Sequence, residues 1–449
     1  MIAASSRVAT RAARRRTDAD VAVIGAGPAG IAAAIAASRA GRRVMLLDAG
    51  LTPGGQIWRH APDSAPSADA RPWLRELGDA PVTCLSGASV VDLHEAEQGP
   101  GFTMLVEQGK AARRVDTSVV VLATGARERF LPFPGWTLPG IVGVGAAQAL
   151  MKMGSSLAGK RVVIAGTGPL LLPVAASLAG AGAHVRLVAE QAPSGAVARF
   201  ATSLWRRPTL LYRAARYRAA FLGTRYVTST WVTAAEGDGR VQRVTLTDGK
   251  RTRTIACDLV CVAYGLVPNT ELARLAGCTT ANGYVVVDER QQTSVSGIYC
   301  AGEPTGIGGS DLALVEGEIA GLAAAGLTSK AEALFARRDR LRADAAMMGR
   351  VFEPRAELRA VCTGETIVCR CEDVRHHALD RQSSARQAKL YTRAGMGACQ
   401  GRICGAALEF LFGWTPDTVR APIEPVLLST FLADVTPASD VPTLDQGVM

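Results

Sequence analysis

A short apolar run, a turn of closely spaced glycines and an alanine-rich stretch follow one another near the start of the chain. They are Asp20-Val-Ala-Val-Ile24, then Gly25-Ala-Gly27-Pro28-Ala29-Gly30, then Ile31 to Arg39. Such a run bounded by glycine reads as a buried strand, and the alanine-rich continuation as a helix. Each glycine has its own geometric task. Gly25 permits a tight turn, Gly27 lets a pyrophosphate approach the backbone, and Gly30 lets helix and strand pack closely. The helix N-terminus then offers free N–H groups and the positive end of its dipole to phosphates. A second strand, Arg43 to Leu47, ends in Asp48, where an acid suits a ribose hydroxyl. The reading is a dinucleotide-binding unit with Gly25, Gly27, Pro28, Ala29, Gly30 and Asp48 at its ligand.

The same pattern returns in mid-chain. Arg161-Val-Val-Ile-Ala165 is a strand, Gly166-Thr-Gly168-Pro-Leu-Leu171 is the turn, and His184 to Glu190 is a second strand with a terminal acid. Gly166, Gly168 and Glu190 are the candidate contacts, and Glu190 favours NAD over NADP. Leu171 stands where the third glycine belongs, and its bulk should push the helix away from the strand. Two readings stay open: a lobe holding NAD(H) or another adenine nucleotide, and a degenerate lobe kept for packing.

Charge does not point to nucleic acid. The chain carries a formal +10, but residues 1–16 contribute Arg7, Arg11, Arg14, Arg15 and Arg16 with no acid. This reads as a disordered basic tail over 1–17. A second basic stretch, Arg199 to Arg225, reads as an amphipathic helical hairpin with Trp205, Leu210, Leu211, Tyr212 and Phe221 on its other side. It is either a solvated face over a packed one or a docking surface for a partner subunit. The longest apolar stretch, Pro169 to Val185, is broken by Pro173, Gly180 and Gly182, so no membrane span is expected. The expected location is cytoplasmic.

Three further segments say which dinucleotide the first unit holds. Pro53-Gly54-Gly55-Gln56 resembles the flavin-contacting turn of the thioredoxin-reductase-like flavoproteins. Val119-Val-Val-Leu-Ala123-Thr124-Gly125 resembles the Ala-Thr-Gly motif ending the first half of their FAD domain. Gly297-Ile-Tyr-Cys-Ala-Gly302-Glu303 resembles their second FAD motif, whose usual Asp is here Glu303. The resemblance implies FAD held by Gly54, Gly55, Gln56, Ala123, Thr124, Gly125, Gly302 and Glu303, with Val90 as a further contact. It also implies that the helix starting near Asp311 aims its N-terminus at the flavin. Cys257 to Asn269 resembles the strand and Gly-x-x-Pro-Asn turn by which the chain returns to the FAD domain.

The flavin lobe lacks the cysteine pair of the disulfide reductases. The Gly-Gly turn continues as Gln56-Ile-Trp58-Arg59-His60, and residues 150–256 contain no cysteine. Cys257 and Cys261 fall four apart on a strand, about 13 Å between Cα atoms, while a disulfide needs under about 7 Å. They read as core residues. Trp58, Arg59 and His60 are candidates to line the flavin ring.

Four of the ten cysteines gather late in the chain, as Cys369-Arg-Cys371-Glu372 and Cys399-Gln-Gly-Arg-Ile-Cys404. The second pair lies in a glycine-rich loop before a helix, whose N–H groups can hydrogen-bond to sulfur. Metal is the expectation. Zinc pairs are usually spaced by two to four residues, which disfavours zinc at the first pair and favours [2Fe-2S]. The segment resembles the bacterioferritin-associated-ferredoxin-like [2Fe-2S] domain. It is most similar to the version fused to the large subunit of opine oxidases, D-hydroxyproline dehydrogenases and hydrogen cyanide synthases, a resemblance extending over about 18–420. That resemblance implies Cys369, Cys371, Cys399 and Cys404 as ligands and a separate amine-oxidising FAD subunit of the D-amino-acid-oxidase type. It also admits FMN at an interface between subunits, and a small ferredoxin-like subunit.

The expected architecture is α/β, two nested Rossmann-like lobes plus a small α-helical C-terminal [2Fe-2S] domain. Its parts are FAD-binding segments at 18–150 and 269–330, a nucleotide lobe at 151–268 with a basic insertion at 191–235, and a connector at 331–360. The cluster domain follows at 361–420 and a tail at 421–449. The expected role is electron transfer within an amino-acid, imino-acid or opine dehydrogenase. Two alternatives stand beside it: a self-sufficient NAD(P)H-dependent ferredoxin or rubredoxin-type reductase, and a zinc-bearing scaffold without catalysis.

Overall fold

The computed structural model describes residues 18–432 apart from 62–63, 98, 153 and 416–417. The basic segment 1–17 and the end of the C-terminal tail, 433–449, lie outside the described residues.

The first lobe opens with β1 (Ala19–Ile24), α1 (Pro28–Arg39) and β2 (Val44–Asp48), with proline at the first helical position. α2 (Arg71–Asp79) and β3 (Val82–Ser86) follow, and then a meander of β4 (Ala88–Glu95), β5 (Phe102–Gln108) and β6 (Ala111–Leu122). The sheet order is β3-β2-β1-β6-β5-β4. β1 is parallel to both β2 and β6, with Val21 opposite Val44 and Val119. Parallel central strands are covered on both faces, which is why they read as unbroken apolar runs.

The chain leaves this lobe on β7 (Ala126–Glu128) and enters a second sheet at β8 (Ile141–Gly143). α3 (Val144–Lys152), β9 (Arg161–Gly166), α4 (Leu171–Gly180) and β10 (His184–Glu190) follow. Next come α5 (Ser194–Ser203), α6 (Pro208–Ala219) and β11 (Arg225–Val227), then a meander of β12 (Trp231–Glu236), β13 (Arg243–Thr247) and β14 (Thr252–Ala256). β15 (Leu259–Ala263) completes a parallel sheet of order β11-β10-β9-β15-β8, and β16 (Leu266–Pro268) pairs with β7 on the way back. The crossing thus comes near residue 128 rather than 150. Phe133, Trp136 and Ile141 are buried in the core of the second lobe with Val163 and Val260, although the Pro-Gly turns at 134–135 and 139–140 do not by themselves say which lobe the segment joins.

α7 (Glu271–Leu275), the short strands β17 (Thr280–Ala281) and β18 (Tyr284–Val285), and β19 (Ile298–Cys300) return the chain to the first lobe. β19 pairs parallel with β6. α8 (Ser310–Ala324) then lies against α1 with almost no space between the backbones. A Cβ on Gly317 would sit 2.0 Å from the Ala29 carbonyl oxygen, and one on Gly321 would sit 2.3 Å from that of Ala33. α1 and α8 therefore approach only because their facing residues are glycine and alanine.

α9 (Thr328–Glu332) and α10 (Phe335–Val351) form the connector. Beyond them a hairpin of β20 (Ile367–Cys369) and β21 (Val374–Arg375) packs with α11 (His376–Leu379), α12 (Ala385–Thr392) and α13 (Cys404–Phe412) around Val368, Leu379, Ala388 and Leu408. The last described element, α14 (Leu428–Leu432), belongs to a segment that folds back onto the first lobe. There the Ile423 N–H donates to the Val91 carbonyl at 3.1 Å and the Leu427 N–H to Glu107 at 2.9 Å.

The basic hairpin α5–α6 departs from its expected amphipathic arrangement. Phe221 is buried, but Trp205, Leu211 and Tyr212 are exposed. The inward contacts are made by arginines instead: Arg207 pairs with Asp344, and Arg213 lies 2.9 Å from Asp69 and 3.8 Å from Asp311. Carboxylates on the neighbouring first lobe and connector hold the hairpin, which periodicity within the hairpin could not reveal. No helix among the described residues is long and apolar enough to cross a membrane.

Candidate functional site

The glycine turn of the first lobe is built as its spacing requires. Gly25 has φ +104°, and a Cβ there would lie 2.2 Å from the Ala123 carbonyl oxygen. A Cβ on Gly30 would lie 1.7 Å from the Gly25 carbonyl oxygen. Facing Gly27 stands Gly55, φ +58°, whose added Cβ would come within 2.9 Å of the Gly27 Cα. Two bare backbones thus face each other with no side chain between them, beside the N-terminus of α1. This cradle fits a pyrophosphate. Asp48 closes the turn, accepting from the Ala26 N–H and from the Gly50 N–H at 2.6 Å, and the residue after it, Ala49, is exposed.

The second FAD motif joins this cradle at the α1–α8 seam. Gly302, φ +80°, touches Ala29, where an added Cβ would lie 2.9 Å from the alanine methyl. Glu303 follows, its Oε1 accepting from the Gly309 N–H at 3.0 Å at the start of α8. Its Oε2 is buried without a hydrogen-bond partner. Burial pushes the Glu303 carboxyl up to about 7, against the pull of the Gly309 N–H. A buried acceptor with no donor at the position of the FAD ribityl contact is what a bound hydroxyl would satisfy, so the residues present fit FAD.

Other expected contacts separate into two groups. Ala123, Thr124 and Gly125 lie at the end of β6, where Thr124 Oγ1 donates to the Asn269 carbonyl at 2.6 Å and Asn269 Nδ2 returns a bond to the Thr124 carbonyl at 2.9 Å. In the flavin-type turn Gly54 is buried, its N–H bonded to the Ala26 carbonyl at 2.7 Å, and Gln56 is exposed. Val90 and Trp58, by contrast, turn their side chains into core clusters of the first lobe. His60 Nδ1 is bonded to the Trp58 carbonyl oxygen at 3.0 Å. Trp58 is anchored as core by its size, which sequence alone cannot distinguish from a ring-lining role.

In the second lobe Gly166, φ +142°, packs on Ala263 as Gly25 does on Ala123. Leu171 is fully buried among Ile164, Val174 and Leu178. The helix starts at Leu171, whereas the first lobe's begins at Pro28, the counterpart of Pro169. Pro169 and Leu170 form a tight turn that leads into α4, with Leu170 in helical conformation and the Leu172 N–H bonded to the Pro169 carbonyl at 3.3 Å. Glu190 has no exposed surface, and its carboxylate accepts from the Gly168 and Ala192 N–H groups, both at 2.8 Å. Burial raises its carboxyl above the usual range.

The four late cysteines meet. Cys369 ends β20, Cys371 follows in the hairpin loop, Cys399 lies in the glycine-rich loop and Cys404 starts α13. Gly397 is required for the loops to close, since a Cβ there would lie 2.3 Å from the Cys371 Cβ. Arg393 bonds to Glu372 at 2.6 Å and ties the same two loops. The thiols stand in two pairs: Cys369 with Cys404, and Cys371 with Cys399. The Cys404 thiol donates to Cys369, and with the Gly395, Glu372 and Cys371 N–H groups it brings Cys369 down to about 5, overcoming burial. The same contact, with burial, raises the Cys404 thiol. Cys371 is exposed, Cys369 and Cys404 are buried, and no cysteine among the described residues is in a disulfide. Among the described residues no group of three or more His, Cys, Asp or Glu is placed to hold a metal ion. N–H donors to sulfur are present at Cys369, from Gly395, Glu372 and Cys371. Four thiols with such donors are the ligand chemistry that a [2Fe-2S] cluster would need. By contrast, Cys257 and Cys261 are buried core thiols, both raised by burial.

The cysteine domain docks on both lobes. The Trp136 indole donates to the Ile367 carbonyl at 2.5 Å. Arg127, at the exit of the first lobe, donates to the Arg402 carbonyl at 3.2 Å and to Asn269 Oδ1 at 2.6 Å. Arg127 and Arg402 escaped the sequence reading because no motif marks a guanidinium that bonds across domains.

Comparison with known proteins agrees with this architecture. The family model for pyridine nucleotide-disulphide oxidoreductases matches residues 19–317. An opine oxidase subunit of Agrobacterium tumefaciens is 34% identical, covering 91% of this chain and 90% of its own. The hydrogen cyanide synthase subunit HcnB of Pseudomonas aeruginosa is 30% identical, covering 91% and 97%. Among solved structures, L-proline dehydrogenase from P. horikoshii superposes with TM-score 0.65 at 22% identity, covering 92% of this chain and 79% of that one. Thioredoxin reductase from T. acidophilum gives 0.56 at 23% identity, covering 71% and 100%.

Proposed function

The chain belongs to the pyridine nucleotide-disulphide oxidoreductase family and, within it, with the opine oxidase and HcnB subunits, and from that premise we propose that it is the FAD- and [2Fe-2S]-carrying electron-transfer subunit of a heteromeric dehydrogenase of amino acids, imino acids or opines. Its partner oxidises a C–NH bond to C=N on a D-amino-acid-oxidase-like subunit of its own, and this chain conveys the two electrons to an acceptor. Bound FAD supplies two-electron acceptance and a bound cluster supplies one-electron transfer. The protein's residues do the rest. Gly25, Gly27, Gly30 and Gly55 leave room for the pyrophosphate, Glu303 offers its free oxygen to a hydroxyl, and Cys369, Cys371, Cys399 and Cys404 hold the metals.

One observation carries this reading. The cysteine loop is hydrogen-bonded through Arg402 and Arg127 to Asn269, which is bonded in both directions to Thr124 at the FAD motif. The loop and the flavin site are therefore fixed relative to each other. The exposed Cys371 side faces solvent, open to an acceptor such as a small ferredoxin-like subunit. The exposed Trp205, Leu211 and Tyr212 on the basic hairpin, held beside Asp311 at the start of α8, supply a contact for the amine-oxidising subunit, with FMN a further candidate at that interface.

The purified chain is expected to contain FAD and about two irons and two sulfides. Cys369→Ala and Cys404→Ala should each lose the iron while keeping the flavin. Zinc in the wild type, or iron that survives both substitutions, would sink the cluster assignment. The flavin should stay oxidised with amino acid alone and become reduced once the co-purified partner is added. Bleaching by NADH alone would instead make the chain a self-sufficient reductase.

Glu303 makes a separate prediction. A hydroxyl donating to its Oε2 favours the ionised carboxyl, while the free group keeps its proton up to about 7. FAD affinity of the apoprotein should therefore rise with pH through that value and level off above it. Glu303→Gln should flatten the profile in a fluorescence titration. A wild-type affinity independent of pH would remove Glu303 from the contact.

A further inference from the structure

The connector does more than join domains. After α10, residues Phe352 to Arg355 run across the carboxyl ends of β9 and β10. Thr167, inside the second glycine turn, donates from Oγ1 to the Phe352 carbonyl at 3.0 Å. Gln191, the residue after the terminal acid, donates from Nε2 to the Glu353 carbonyl at 3.0 Å and accepts at Oε1 from the Arg355 N–H at 3.1 Å. Gln191 also donates to Thr167 Oγ1 at 2.9 Å. The Arg355 guanidinium lies 4.2 Å from the centre of the Trp231 ring, and Phe352 meets Phe200 edge-on at 5.3 Å.

In a doubly wound sheet the ligand lies outside the carboxyl ends of the strands, its pyrophosphate over the glycine turn and its ribose at the acid. The strap is bonded at those two places, to Thr167 inside the turn and to Gln191 directly after the acid. The first lobe is an internal control: the residue following its acid, Ala49, is exposed, whereas Gln191 is wholly buried. Glu190 accepts one backbone N–H on each oxygen, as Asp48 does, but it is wholly buried where Asp48 is only partly so, which leaves it no face open to a ribose.

We infer that Phe352–Arg355 occupies the adenosine position of the second lobe, so that this lobe's residues, Thr167 and Gln191 above all, exclude NAD(P)H as electron donor. The family fold offers a dinucleotide site here, and the residues present do not fit it. The lobe instead serves as a platform on which the connector fixes the cysteine domain. This goes beyond the proposed function, which concerns where electrons come from and not what is shut out.

The test uses the full chain and the probes NAD+, NADP+ and ADP-ribose at roughly 1 mM, the upper end of ordinary substrate affinities. Calorimetry should show no binding, and NADH and NADPH should leave the flavin oxidised while dithionite bleaches it. Hydrogen exchange of the 352–358 peptide should be slow, unaffected by the probes, and at least tenfold faster in Gln191→Ala. Stoichiometric binding of any probe to the wild type, or slowed or accelerated exchange of that peptide on adding one, overturns the inference. So does unchanged exchange in Gln191→Ala. A chain without flavin would defeat the functional reading alone, since calorimetry and exchange do not depend on it.

Discussion

Gly30→Val is expected to give a chain that binds no FAD and melts well below the wild type. The Cβ it adds would overlap the Gly25 carbonyl oxygen, 1.7 Å away, with the Ala123 methyl also close at 3.3 Å. Neither neighbour is the end of a flexible side chain. Relief requires α1 to move off β1, and the seam with α8 prevents that, because Gly317 and Gly321 already touch the backbone of α1. Overpacked cores usually lose about 1–3 kcal/mol, and a backbone clash in a close-packed seam belongs at or above that range. With about 2–4 °C per kcal/mol for a unit this large, a fall of several degrees follows. Absorbance of the purified variant and a melting curve check both parts. Normal flavin content in Gly30→Val would mean that the cradle is not the flavin site.

Arg342→Met carries the second large effect. Glu316 on α8 is 1% exposed, and its Oε2 accepts from the Gly302 N–H at 3.0 Å and from the Thr305 hydroxyl at 2.9 Å. Its Oε1 is held by Arg342 of the connector helix, 2.7 Å away, and the guanidinium also reaches Gln291. Removing the arginine leaves a buried carboxylate without its counter-charge beneath the second FAD motif. Breaking a buried pair costs about 3–5 kcal/mol, and partial exposure of Arg342 puts this one near the lower end. Urea unfolding should show the loss, and FAD titration should show weaker binding because Gly302 is no longer firmly placed. Adding Glu316→Gln should recover most of it, since an amide oxygen still accepts from Gly302 without carrying charge. A double variant no better than the single one would mean that the ion pair does not position the motif.

The sequence was most legible where backbone geometry leaves one residue type. Gly25 and Gly30 could be read because any Cβ collides there, and the four cysteines because thiol chemistry is concentrated in them. It was least legible where a contact joins distant segments through unremarkable residues. Phe352 to Arg355 form no motif, and their partners Thr167 and Gln191 look like ordinary loop residues. Arg338 and Arg342 on α10 make their contacts as guanidinium groups, so the helix shows no apolar stripe to betray which face is covered. The hairpin α5–α6 misled for the same reason, its inward face being defined by Asp69, Asp311 and Asp344 on other elements. Leu171 was legible as a departure, and it lies fully buried among Ile164, Val174 and Leu178.

The pairing of β19 with β6, and of α8 with α1, sets an order of assembly. A lobe begun at residue 19 acquires its last strand at Ile298 and its last helix at Ser310, after the whole second lobe has been made. On the ribosome, the inner lobe can therefore fold while the outer one waits with an open sheet edge, its half-built cradle unable to retain a cofactor. Completion of the cradle in this way waits for α8, and a truncated product ending before residue 298 would leave the free part of the β6 edge available for aggregation.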